Sequence, residues 1–406
     1  MIHSMVKILK HYKKIVVLLL LSSMCSSAYT QSSSQKIYVV DFDELKSKKI
    51  LITNGNKQAL KSYRTLIRKA DKLLNRKVFS VVHKTGMPPS KSKHDYMSIA
   101  PYYWPNPKTK NGLPYIRKDG EINPETRNNF TDIVEKSNFI SAVKTLCNAY
   151  FFSSDIKYAN KNIELINAWF VDEATKMNPN INYGQSVPGK SEGRCFGIIE
   201  FGDIIEIIKF LEIAKQKEAL DSITERAMFD WFRAYSDWLQ NSKLGKEEAT
   251  RENNHGTHYD TQLLKILIYL NRLEEVKSYL STITKNRIFS QIEPDGSQPL
   301  ELARTKSFSY SVMNLHGFLE LAIIGKKVGV NLWDMSSKDG RSIKAGYKYM
   351  IPYLTQKKEW RYKQIKSAKH SEEKLVSDLK YIRNNFGDSS FDEALRQISE
   401  TDKIKD

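Results

Sequence analysis

Residues 139–153 read FISAVKTLCNAYFFS, and residues 158–170 read YANKNIELINAWF. In the first run Phe139, Ile140, Val143, Leu146, Cys147, Tyr150 and Phe151 recur three and four apart, the spacing that gathers side chains on one face of a helix. A strand would alternate instead. The same spacing returns at 204–214 (IIEIIKFLEIA), 227–239 (AMFDWFRAYSDWL), 261–270 (TQLLKILIYL), 312–329 (VMNLHGFLELAIIGKKVG) and 343–354 (IKAGYKYMIPYL). Alternation is scarce apart from short pieces such as KIYVVDF at 36–42.

Many helices of this length, joined by loops and lacking a strict repeat, predict an all-α fold of helical hairpins set around an axis. The closed form of such an array is an α/α toroid, an incomplete barrel whose loops surround a central cleft. Three long loops break the helical rhythm, at 94–126, 178–197 and 292–310; the first holds five prolines and a dense aromatic set. Long loops inside a compact domain usually carry function, so the site is expected on them.

The N-terminus has the order of a secretory leader: lysines, an apolar block from Ile15 to Leu21, then small residues ending at Ala28. The block is too short to span a bilayer. This divides the chain into a signal peptide at 1–28, an N-terminal extension at 29–60 and a toroid domain at 61–406, and implies a periplasmic or secreted protein without stable membrane insertion. A lipid anchor on Cys25 is disfavoured by its flanking residues. Residues 1–28 hold four lysines and no acid, so the formal charge falls from +18 to +14. A field of that sign concentrates polyanions. For an exported protein the partner is an acidic polysaccharide rather than nucleic acid, although a lysine-rich surface needs no partner at all. Only Cys147 and Cys195 remain, which is no disulfide framework, and the sequence does not decide whether they pair.

The stretch RENNHGTHYD at 251–260 sets two amides and two imidazoles before an apolar helix. Asn253 and Asn254 suit a helix N-cap, but capping needs only one of them. His255, His258 and Asp260 suggest zinc, yet neither HExxH nor CxxC accompanies them. No metal and no cofactor is expected.

HDYMSIAPYYWPNP (94–107), GLPYIRKDGEINPE (112–125), MNPNINYGQ (177–185), GRCFGIIE (193–200), NNHGTHYD (253–260) and ELARTKSFSY (301–310) follow one another in an order that resembles the alginate lyase superfamily. These are α/α-toroid polysaccharide lyases acting on alginate or related polyuronates, and the resemblance covers residues 60–370. It implies cleavage of β-linked uronic-acid polymers by β-elimination, of alginate first, especially polymannuronate, and of glucuronan second. It also implies a catalytic group of Asn254, His255, Arg304 and Tyr310. In that reaction the proton beside a sugar carboxylate is removed and the adjacent C4 oxygen expelled. The carboxylate must be neutralised as charge develops, which suits an amide, an imidazole and a guanidinium. A phenol with a free pKa of about 10 acts readily as acid, and as base only when cations lower that value.

Tyr96, Tyr102, Tyr103 and Trp104 are candidates to stack on sugar rings, and equally to pack their loop onto the body. Gln185 and Arg194 are candidate subsite ligands. His258 is a candidate binding or packing residue beside the catalytic pair. Glu301 is expected to orient Arg304 or to end a strand-like segment. A glycoside hydrolase would need two spaced carboxylates, for which Glu200, Asp203 and Glu301 are available; a non-catalytic glycan binder would use the same aromatic cleft. Oligomeric state, endo or exo action and syn or anti elimination are not readable.

Overall fold

The computed structural model describes residues 36–405, with side chains through residue 400. The leader expected over 1–28 lies outside the described residues. A compact unit begins at Tyr38, so the boundary expected at 60/61 falls inside a helix rather than between two bodies. Helices α1 (Phe42–Thr53) and α2 (Lys57–Leu74) open it, capped by the Asp41 and Asn56 side chains, which accept the Glu44 and Ala59 amides. KIYVVDF forms no strand. The Val39 and Val40 amides donate to the two carboxylate oxygens of Glu212 at 3.0 and 2.8 Å, and the Lys327 ammonium donates to the carbonyls of Tyr38, Val39 and Val40. Side chains thus take the backbone groups that a neighbouring strand would have taken.

The hairpin read from 139–170 forms as α3 (Ile133–Ser153) and α4 (Ile156–Phe170). Ser154 turns the chain in the left-handed region, and Asp155 caps α4 by accepting the Lys157 amide. Phe139 stacks on Trp169 with centroids 4.6 Å apart and planes 6° from parallel. The apolar faces of the two helices therefore meet, and burial of such rings is the main force holding them.

Further hairpins follow: α5 (Ile205–Gln216), α6 (Ser222–Asn241), α7 (Lys243–Ala249), α8 (Asn254–Tyr269), α9 (Leu273–Tyr279), α10 (Lys285–Gln291), α11 (Pro299–Leu302), α12 (Ser307–Val328), α13 (Ile343–Leu354), α14 (Lys369–Phe386) and α15 (Asp392–Lys405). The result is an all-α toroid. Helices α8 and α12 are buried on nearly every side and pack on each other. A helix that is apolar all round belongs in the interior. Their N-terminal turns, where the helix dipole is positive, open onto the same cavity.

The long loops are less irregular than the sequence suggested. Strand β1 (Met97–Ile99) pairs in parallel with β4 (Tyr183–Ser186), and β2 (Tyr103–Trp104) pairs antiparallel with β3 (Ile116–Arg117). Loops 94–126 and 178–197 are thereby tied together. Gly184 and Gly197 face each other so closely that a Cβ on Gly197 would stand 2.6 Å from the Gly184 Cα. Only glycine lets β4 lie against the 3₁₀ segment Cys195–Ile204. Cys147 and Cys195 are both buried free thiols. Among the described residues no helix is long and apolar enough to cross a membrane.

Candidate active site

A cavity of about 590 Å³ is lined by Tyr102, Tyr103, Arg117, Gln185, Arg194, Phe196, Arg251, Asn254, His255, Arg304 and Tyr310, among others. The four residues of the expected catalytic group share this one hollow. Four arginines line it against one acid, Glu252. With two helix N-termini beside them, the wall is built for anions.

Asn253 occupies the N-cap position of α8, but its side chain makes no capping bond. Glu301, on α11, supplies the acceptor instead. One of its oxygens accepts the Asn254 backbone amide at 2.7 Å, and its two oxygens accept from the Asn254 side-chain nitrogen at 2.9 and 2.8 Å. The expectation that Glu301 orients Arg304 is corrected: it holds Asn254 and caps the helix. Burial raises the Glu301 pKa, against the hydrogen bonds from Asn254. The Asn254 amide nitrogen is therefore engaged in the resting site.

His255 follows in the first turn. Its Nδ1 lies 2.6 Å from Glu248 Oε1, and its ring stands edge-on to Phe196 with centroids 4.7 Å apart. Gly256 comes next because Arg287 crosses there: a Cβ would stand 2.0 Å from the Arg287 Nη1. That guanidinium bonds the carbonyls of Ala249 and Arg251 and the carboxylate of Asp260, tying α7 to α8. The histidines of the motif thus go separate ways. His258 lies outside the cavity lining, its Nε2 is buried without a partner among the described residues, and burial lowers its pKa to about 4. Its expected role in substrate binding is corrected to packing.

Tyr310 sits in the first turn of α12, its hydroxyl 2.8 Å from that of Tyr102. Burial raises its pKa, and the neighbouring Arg304 opposes the rise. The Arg304 guanidinium bonds Asp119 through Nε and Nη2, and among the described residues Nη1 has no partner. Lys306 reaches the Tyr102 hydroxyl at 3.3 Å, completing a chain from ammonium to phenol to phenol.

Arg194 lies over the rings of Tyr103 and Phe196, with centroids 5.0 and 4.8 Å away, and donates to the Gln185 backbone carbonyl and side-chain oxygen at 2.9 and 3.1 Å. Gln185 has φ of 48°, uncommon for a residue with a Cβ and often found where a site imposes geometry. Both remain at the cavity wall, as does Tyr103. Two aromatics do not. Tyr96 is fully buried and donates its hydroxyl to Glu200 at 2.8 Å, because the tied loops place it beneath the wall. Trp104 points its indole nitrogen to the Glu121 carbonyl, under the Lys118 ammonium, outside the lining.

The carboxylates considered for hydrolysis are engaged elsewhere. Glu200 accepts from Tyr96 and Ser98, Asp203 pairs with Lys136, and Glu301 holds Asn254. Arg117, Asp119, Arg251 and Glu248 join the site without being named by any motif. Arg117 and Asp119 stand in the quoted IRKDGE, and Arg251 two residues before the asparagine pair, so charge beside a motif was a usable signal. Glu248 carries none, since only the turn between α7 and α8 brings it under His255.

Residues 80–360 match the alginate lyase family model. The chain is similar to an alginate lyase from Bacteroides ovatus of known crystal structure, at 36% identity over 90% of this chain and 95% of that one, with a TM-score of 0.84. It is similar in fold to alginate lyase A1-III from Sphingomonas species A1, at 16% identity over 86% of this chain and 88% of that one, with a TM-score of 0.53. A variant of A1-III complexed with tetrasaccharide gives 16% identity, 86% and 87% coverage and a TM-score of 0.54. Comparison with curated proteins gives no match.

Proposed function

This chain belongs to the alginate lyase family and is a polysaccharide lyase; from that premise we propose that it cleaves alginate by β-elimination, polymannuronate first. The observation that carries the finer reading is the meeting of Asn254, His255, Arg304 and Tyr310 on one arginine-lined cavity. A uronate chain entering it brings one carboxylate per sugar, and each arginine on the wall offers a geometric match to such a group.

Elimination breaks the C5–H and C4–O bonds and forms a double bond between those carbons. The sugar carboxylate takes up charge on the way. Arg304 Nη1 has open capacity to hold it, as has His255 Nε2 when the ring carries both protons, while Asn254 joins them only as its amide leaves Glu301. Preorganised donors of this kind are usually the largest part of such catalysis. The buried phenol of Tyr310 is held protonated, which suits delivery of a proton to the departing C4 oxygen. Where both reacting atoms lie on one face, as in polymannuronate, Tyr310 first gives up its proton to solvent; its phenolate, beside Arg304 and the Tyr102 hydroxyl, then takes the C5 proton and passes it to the C4 oxygen. Where they lie on opposite faces, His255 takes that proton instead.

A panel of polymannuronate, polyguluronate, glucuronan and hyaluronan tests the reading. Ultraviolet-absorbing unsaturated ends should form first from polymannuronate. New reducing ends without that absorbance would mean hydrolysis and overturn it. The N-terminal charge and apolar pattern further supports export, with a mature chain starting at residue 29; N-terminal sequencing of the fractionated protein checks this.

A further inference from the structure

Glu248 belongs to the short helix α7, whose position is fixed from both sides. A Cβ on Gly245 would stand 1.9 Å from the Leu239 carbonyl, and Arg287 holds the helix's C-terminal end through the Ala249 carbonyl. Its side chain is 1% exposed. Oε1 meets His255 Nδ1 at 2.6 Å, whereas Oε2 has no hydrogen-bond partner among the described residues. The nearby Arg251 bonds Glu247 and Cys195 instead.

That arrangement is poor for stability. A buried carboxylate costs several kcal/mol by order of magnitude unless its oxygens are satisfied. Asp260, equally buried in the adjoining helix, illustrates a structural acid: it accepts four hydrogen bonds, from Tyr279, Thr284 and twice from Arg287. Glu248 has a single partner, and that partner lines the cavity. An ionised carboxylate at Nδ1 obliges the proton of the neutral imidazole to sit there, since Nδ1 and Oε1 cannot both be lone pairs at this distance.

We infer that Glu248 is the positioning residue of this site: it fixes the ring of His255 and keeps its Nδ1 protonated, leaving Nε2 as the atom that meets the uronate. A neutral imidazole released from it reverts to the Nε2–H form that free histidine prefers. It would then present a donor where opposite-face elimination needs a base, and its ring would lose its fixed plane. The catalytic part of this inference rests on the lyase reading; the tautomer does not.

The test uses the full-length protein labelled with ¹⁵N-histidine, with the His255 signals assigned by their loss in His255→Ala. Wild type should show a protonated Nδ1 on His255 where the ring is neutral, Glu248→Gln should retain it through its amide oxygen, and Glu248→Leu should shift to Nε2–H. An unprotonated Nδ1 in wild type, or the same tautomer in Glu248→Leu, overturns the inference. In turnover of polyguluronate, where opposite-face elimination uses the His255 base, Glu248→Leu should lower kcat by about 10²–10⁴-fold, the worth of a positioned base, with KM little changed and Glu248→Gln recovering most of the loss. In the His255→Ala background the same substitution should change kcat by no more than about twofold, because the two act as one unit; additive losses would mean a structural role and overturn it. A protein inert toward every uronate would sink the lyase reading while the NMR result stood.

Discussion

The Arg304 guanidinium lies 3.8 Å from the centroid of the Tyr310 ring, while two of its nitrogens bond Asp119 at 3.2 and 2.8 Å. Asp119 holds the guanidinium in place over the phenol. Burial pushes the Asp119 pKa up, but hydrogen bonds from Arg304 and Thr305 outweigh it and keep the carboxyl well below its usual range. The aspartate therefore stays ionised wherever the enzyme would work, and the arginine stays put.

From this geometry Tyr310→Phe should lower kcat by about 10²–10⁴-fold, the usual worth of a positioned acid or base, with binding of polymannuronate retained. Binding by calorimetry and turnover by double-bond absorbance check the two halves. Arg304→Lys should also lose turnover, since an ammonium cannot bond Asp119 through two nitrogens while covering the ring. Unchanged kcat in Tyr310→Phe would remove the phenol from the reaction.

Glu301 caps α8 and holds Asn254 with the same carboxylate. Removing it in Glu301→Ala leaves a buried backbone amide and a buried side-chain amide without acceptors, at about 1–3 kcal/mol each. A destabilisation of about 2–6 kcal/mol should follow, read by denaturant unfolding, together with loss of turnover as Asn254 loses its orientation. A Glu301→Ala variant as stable as wild type would show that another acceptor caps the helix.

The arginine-lined cavity predicts a salt effect. Attraction between exposed charges is screened over about 8 Å at physiological ionic strength, so KM for polymannuronate should rise with added sodium chloride while kcat changes little. Arg194 is the informative position, because its guanidinium bonds Gln185 and has no carboxylate in ion-pair contact among the described residues. Arg194→Ala should raise KM and flatten its salt dependence. A KM that ignores salt in both proteins would leave the positive wall without a role in binding.

The helical architecture was legible because α3 and α4 each carry one sustained apolar face and Phe139 and Trp169 meet across them. The convergence of Asn254, His255, Arg304 and Tyr310 followed from ordered motifs and their resemblance, since spacing alone left the asparagine free to be only a cap. The errors have a common cause. Tyr96, Trp104 and His258 have the composition of a sugar-binding surface, and periodicity does not say which side of a loop or helix turn faces a cavity. Tyr96 went under the wall because β1 pairs with β4, a contact between residues almost ninety positions apart. Glu248 stayed invisible for a similar reason: the turn between α7 and α8, rather than a sequence motif, delivers it to His255.

His258 gives a prediction about stability rather than turnover. Burial lowers its pKa to about 4, aided by the nearby His316, His255 and Lys265 and opposed by Glu320, whereas an unfolded histidine titrates near 6.5. Between those values the unfolded chain binds more protons at this position than the folded one, so its contribution to stability falls as pH drops. The contribution is fully present above about pH 6.5 and is lost as pH falls toward about 4, with a slope of up to about 1.4 kcal/mol per pH unit. Other groups titrate in the same range, so the comparison must be between variants. His258→Gln, which cannot be protonated, should show a shallower fall of unfolding free energy between pH 6.5 and 4.5 than wild type. Parallel curves would mean that the imidazole is protonated within the folded protein as easily as outside it, and that its buried Nε2 is reached by water.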